Sequence, residues 1–287
     1  IGTWMQRIAL PWVVYKLTGS ALLLGIVSFA GQIPTFLLAP LAGVVTDKFS
    51  KYRILVITQI AALIQALILA VLALAGIMEI WHIIVLSIAL GCINAFDVPS
   101  RHSFVIEMVE RKEDFGNAIA LNSLMFNGAR LIGPSVAGLM LSTAGEGICF
   151  LINAISYLFV IISLSLMRVP VRETVKKSGD MLKEMKDGLS YTFGFPPIKH
   201  ILILLSVVSL LGASYQVLMP VFAKEILNGS SKTYGFLMGA AGLGALAGAL
   251  FLASRRSVVM LGRTIPAASG LFGLGLVILS FTGNFNI

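Results

Sequence analysis

Residues 43–53, GVVTDKFSKYR, decide how this chain is read. They set a glycine, an aspartate and several basic or aromatic side chains between two long apolar runs, 21–45 and 54–76. A helix needs about 20 consecutive apolar residues to cross a bilayer, and each run supplies them. Two such runs joined by so short a polar segment predict an antiparallel pair of membrane helices with their charges gathered at one face.

Outward from that pair the pattern repeats. Apolar segments cover 1–16, 21–45, 54–76, 81–99, 115–141, 147–167, 198–222, 233–254 and 265–282. Of the 287 residues 57% are hydrophobic and 12% charged, against about 25% charged in soluble domains. That is too little polar surface for a water-soluble fold. Lipid offers backbone groups no partners, so each span must be helical. The net charge of +8 sits in loops rather than along one soluble face, which argues against nucleic acid as a partner. Cys92 and Cys149 fall in apolar runs and predict neither a disulfide framework nor a metal site. His82, His102 and His200 lie in different segments, with no metal-ligand spacing. No nucleophile, acid–base pair or phosphate loop converges, so neither an enzyme nor a cofactor is expected.

Charge sets the orientation. Sixteen basic residues flank one face, among them Lys48, Lys51, Arg53, Arg101, Arg111, Lys112, Arg168, Arg255 and Arg263; Lys16, Lys224 and Lys232 flank the other. By the positive-inside rule the rich face is cytoplasmic. The polar stretch 169–197 reads as a linker between two groups of spans, 1–168 and 198–287. Within it Met181, Leu182, Met185 and Leu189 share a helical face, which predicts an interfacial amphipathic helix; the alternative is a solvated tether.

The 43–53 stretch resembles the G-x-x-x-D-[RK]-x-G-[RK]-[RK] motif between the second and third helices of major facilitator superfamily transporters. Gly43, Asp47, Lys48 and Lys51 match; Ser50 replaces the second glycine, and Tyr52 displaces one basic position before Arg53. The resemblance implies an all-α membrane fold of two six-helix bundles. This chain would hold about nine of the helices, with the beginning of the first and the last three absent. Gly43 would let two helices approach closely. Asp47 would hold the basic side chains and cap a helix end, closing the cytoplasmic face until the bundles rock.

Three further segments extend the reading. In 91–101, GCINAFDVPSR, Asn94, Asp97 and Arg101 share a helix face. The resemblance puts Asp97 in the inner gate, with Lys51 or Arg53 as partner; a proton-carrying role is the alternative. In 127–138, NGARLIGPSVAG, Gly133, Pro134 and Gly138 resemble the glycine–proline motif of facilitators that act as exporters, and with Ala129 and Ala137 they predict tight helix packing. In the eighth span Gly235, Gly239, Gly242, Gly244 and Gly248 predict close packing between bundles; the loop beyond it keeps Arg255 and Arg256 of a repeated motif but lacks the acid.

Arg130 and Arg7 lie at similar depth in otherwise apolar spans. An intramembrane arginine costs about 3 kcal/mol on insertion scales, so each should face a cavity or a partner. A pocket is expected at Arg7 and Arg130, with Asn127 and Gln32 as polar support and Tyr215 and Gln216 from the second bundle. Two arginines in one cavity favour an anionic or catechol-rich substrate. The alternative is that they bond carbonyls and amides such as Gln6, Gln32 or Asn122, or an acid in the helices expected to be absent.

Nearly the whole chain resembles the enterobactin-exporter-like and macrolide-efflux-type facilitators, notably in 2–25, 94–109 and 117–138. That resemblance implies a monomeric bacterial inner-membrane exporter of a small molecule, such as a siderophore, run as an antiporter with protons as coupling ion. The alternatives are a macrolide or multidrug pump and a non-transporting interaction protein on the same fold.

Overall fold

The computed structural model describes residues 1–109, 111–167, 190–191, 193–212, 214–253 and 261–282. Among them it is helical throughout, without a strand. The helices are α1 (Gly2–Thr18), α2 (Ala21–Lys48), α3 (Lys51–Leu74), α4 (Ile80–Met108), α5 (Phe115–Thr143), α6 (Glu146–Leu166), α7 (Pro196–Val207), α8 (Ser214–Val221), α9 (Ser231–Ala253) and α10 (Leu261–Ser280). A π-helical turn at Val208–Gly212 extends α7, and another at Phe222–Ile226 extends α8. Among the described residues seven helices are long and apolar enough to cross a membrane: α2–α6, the broken rod Ile198–Ile226, and α9. The apolar helix α1 and the apolar part of α10, Thr264–Ser280, are shorter. The amphipathic helix expected near Met181 and the repeat at Arg255 and Arg256 lie outside the described residues.

Local chemistry sets the turns. Gly19 ends α1 in the left-handed region at φ 59°, where its N–H reaches the Tyr15 carbonyl. The Ser20 hydroxyl then accepts from the Leu23 N–H and starts α2. At the other face the break between α2 and α3 is only Phe49–Ser50, so Asp47 and Lys48 close one helix while Lys51 and Arg53 open the next. Likewise Arg101 is not a loop residue: α4 runs on through Pro99 to Met108. Hydropathy marks the lipid-embedded stretch, and these helices continue beyond it because their polar ends are helix-compatible and still pack. Phe104, in that extension, is buried with Leu55 and Leu164 against Tyr52.

α1–α6 form one packed group. α2 crosses α4 at Gly31 and Gly91, where a side chain on Gly91 would run into the Gly31 carbonyl. Buried amides stitch the group: Asn153 donates to Gln6 at 2.7 Å, Gln6 to Gln65 at 3.1 Å, and Gln65 to the Leu86 carbonyl at 3.2 Å, linking α6, α1, α3 and α4. Gln6 is therefore committed to this chain and not to an arginine.

The later helices meet that group chiefly along α5 and α9, which run antiparallel. A β-carbon on Gly138 would lie 2.7 Å from the Gly235 Cα, and one on Gly242 would lie 2.6 Å from the Arg130 carbonyl oxygen. Backbone thus touches backbone from the basic-poor face down to Arg130. Beyond that level the helices part: residues 119–125 of α5 are exposed around the whole circumference of the helix. The main core lies at the basic-poor end and spans both groups, with Ile8, Val13 and Phe150 from the first and Met219, Ala223 and Tyr234 from the second.

Candidate substrate site and gates

α1 and α5 bring Arg7 and Arg130 together. Gly133 permits this, since a β-carbon there would lie 2.5 Å from the Trp4 Cβ. Trp4 wedges against α5 with its ring edge-on to Phe126 at 5.6 Å. The guanidinium of Arg7 sits 4.9 Å and that of Arg130 5.8 Å from the centroid of this one indole. The two charges are therefore no more than roughly 11 Å apart. At an effective dielectric of 20 they repel by at least about 1.5 kcal/mol. Neither has an acidic partner among the described residues. Protein surrounds Arg7 on most sides, yet its side chain stays open to the cleft, within electrostatic reach of Arg130 and Arg101. Arg130 is half-buried at the point where α5 and α9 part.

The supporting residues divide. The Asn127 amide donates to the Ser123 carbonyl one turn back at 2.8 Å, so it bonds its own helix. Gln32 is exposed on α2 and makes no hydrogen bond among the described residues. Tyr215 packs edge-on against Phe272 at 5.7 Å, and the Gln216 amide lies 3.4 Å from the Tyr215 hydroxyl. Neither touches the arginines. Trp4 was not singled out in the sequence; its signal was spacing, since Trp4 and Arg7 stand three residues apart on one helical face.

At the basic face the pairing differs from expectation. Asp97 is 2% exposed and is held neither by Lys51 nor by Arg53. Its Oδ1 accepts from Gln59 at 2.7 Å and lies 3.0 Å from the Thr58 hydroxyl; its Oδ2 pairs with Arg101 on the next turn. Lys51 pairs instead with Glu107 at 2.6 Å, because the extension of α4 carries that acid past Asp97 to the start of α3. Asp47, Lys48 and Arg53 are exposed, without an ion pair among the described residues. Gly43 is also exposed, with nothing within 4 Å of a β-carbon, so it makes no close helix approach here. Gly133 and Gly138 do, and to two different neighbours: α1 for the first, α9 for the second. Pro134, between them, is buried.

Comparison with known proteins gives this geometry its context. The family described as transmembrane secretion effector matches residues 1–287. The staphyloferrin A transporter of Staphylococcus aureus is 27% identical over 96% of this chain and 70% of its own length. The multidrug efflux pump Tap of Mycolicibacterium fortuitum is 24% identical over 98% of this chain and 70% of its own. The macrolide efflux protein A of Streptococcus pyogenes is 19% identical over 64% and 46%. With the family match spanning every residue and the apolar helices long enough for a bilayer, this chain belongs to the transmembrane secretion effector family of major facilitator superfamily transporters.

Proposed function

We propose that this protein exports a small anionic molecule across the bacterial cytoplasmic membrane by alternating access. The observation that carries the reading is the pair of guanidinium groups over Trp4, at the level where α5 and α9 separate. Two like charges held this close are costly alone, and an anion between them relieves the repulsion while making charge-assisted hydrogen bonds to both. The indole adds a flat apolar floor suited to an aromatic or catechol ring. A siderophore combines these features, and a relative is named for transport of one.

In this reading 1–168 and 198–287 act as two bundles, with 169–197 as their cytoplasmic linker. We read this conformation as open to the cytoplasm, with the basic face placed inside by the positive-inside rule and the exposed residues 119–125 of α5 as the support for an opening there. Substrate enters past Arg101 to Arg7 and Arg130. The inner gate then closes through Asp47, Lys48, Lys51 and Arg53, with the Asp97–Arg101 unit behind them. Protons are the coupling ion we favour, and the monomer is the working unit. A second reading, macrolide or multidrug efflux, draws on the aromatic floor of Trp4 and Phe126 and on two relatives' names.

The test is flux in inside-out vesicles holding the full-length protein, with a catechol siderophore and a cationic macrolide compared under a proton gradient. Arg130→Ala should cut siderophore uptake by about 100-fold, the loss of a buried charge-assisted contact of about 2.7 kcal/mol. Macrolide uptake should change less than threefold. Equal losses would make Arg130 structural, and macrolide uptake without siderophore uptake would favour the second reading.

A further inference from the structure

The basic-poor face holds a cluster that the substrate reading does not use. Tyr15, in the last turn of α1, is 5% exposed and donates its hydroxyl to Glu225 at 3.0 Å. The Lys224 ammonium sits 5.3 Å over the same ring. Adjacent residues of the second group thus seize one tyrosine, one by its ring and the other by its hydroxyl. Both come from the π-helical turn Phe222–Ile226. Such turns are rare and are frequent at functional sites; the extra residue in the turn re-aims the side chains it carries. Below the tyrosine, Trp12 stacks on the fully buried Tyr234 at 5.9 Å and 15°. A cavity of about 290 Å³ opens beside them, lined by Trp12, Tyr15, Lys16, Leu141, Glu146 and Lys224.

Each of these bonds except one crosses between α1–α6 and the later helices. The exception is the Lys16–Glu146 pair at 3.0 Å, which stays inside the first group. Glu225 and Lys224 are themselves exposed, so opening the cluster returns both charges to water at small desolvation cost. Tyr15 and the Trp12–Tyr234 stack supply the seal beneath.

We propose that Tyr15, Lys224 and Glu225 form a latch that closes the basic-poor face and opens once in each transport cycle. These are positioning residues: they set the balance between conformations and do not touch substrate. The latch stands whether the transported molecule is an anion or a drug.

The experiment uses the full-length protein in membrane vesicles, with Cys92 and Cys149 replaced by alanine and Leu141→Cys as reporter. Leu141 is 8% exposed and lines the cavity. A membrane-impermeant maleimide is applied at the basic-poor face. Tyr15→Phe keeps the ring and removes the donor; Glu225→Ala removes the acceptor at an exposed position where folding is not at stake. Each should raise the labelling rate about tenfold, or about 1.4 kcal/mol for one hydrogen bond to a charged group. The double variant should match either single variant, since both lose one bond. Lys16→Ala should label at the parent rate. Unchanged labelling in Tyr15→Phe and Glu225→Ala, full multiplication in the double variant, or an equal rise in Lys16→Ala would each overturn the latch.

Discussion

At one face α5 and α9 touch backbone to backbone; at the other the same two helices stand apart. Their composition does not explain the difference. Gly235, Gly239 and Gly242 line the closed stretch of α9, and Ala245 and Ala249 continue the same helical stripe into the open stretch with side chains almost as small. Small residues permit contact without compelling it. What differs is where the polar bonds go. At the closed face Tyr15–Glu225 and Lys224 over Tyr15 join the two groups, with the Trp12–Tyr234 stack beneath. At the open face Asp97–Arg101 and Lys51–Glu107 are satisfied within the first group, so nothing among the described residues draws the later helices in.

The largest effect should come from forcing the closed face apart. Gly138→Leu drives a side chain into the Gly235 backbone, which cannot yield; overpacking of this kind costs about 3 kcal/mol. Thermal unfolding in detergent should fall by several degrees and transport should be lost. Ala249→Leu, on that stripe at the open face, should leave stability within about 0.5 kcal/mol yet lower transport at least tenfold, because that face must close later in the cycle. Normal transport by Ala249→Leu would mean that the open stretch of α9 never approaches α5.

A middle effect separates two acids of the basic face. Asp97→Asn leaves the guanidinium of Arg101 without its carboxylate and upsets the Thr58 and Gln59 donors, which should cost about 2 kcal/mol along with flux. Asp47→Asn, exposed and unpaired among the described residues, should cost under about 0.5 kcal/mol and reduce flux alone. Matching stability losses, read from paired melts, would mean that Asp47 is also a packing residue. The smallest effect belongs to Lys16→Ala. Its side chain is 58% exposed, and pairs of that kind contribute about 0.5 kcal/mol or less; a larger shift in the melt would assign the closed face to the rim rather than to the latch.

Much of this was legible in the sequence. Long apolar runs located the seven membrane-length helices among the described residues, since a bilayer leaves no other element available, and the glycines of 127–138 and of α9 predicted the close crossing. Arg7 and Arg130 were found as costly charges at matching depth. Three things were not legible. Hydropathy ends where lipid ends, so α4 was stopped at residue 99, and Glu107, the acid that takes Lys51, was missed. The partners of Asp97 are neutral Thr58 and Gln59 on another helix, and no charge pattern marks them. Tyr15 and Glu225 are 210 positions apart and meet only through a π-helical turn, which has no periodic signature.

Rocking of the two groups about the α5–α9 contact would change the distances across both faces in opposite senses. Spin labels on Met125 and Leu250 would report the basic face, and labels on Leu139 and Phe236 the other; all four positions are exposed. Pulsed dipolar spectroscopy on the full-length protein in nanodiscs, with Cys92 and Cys149 replaced by alanine, needs no known substrate. The expected result is a long distance for the first pair and a short one for the second, with Tyr15→Phe shifting population toward the reverse in both. Distances that stay fixed in Tyr15→Phe, or that lengthen together at both faces, would contradict it.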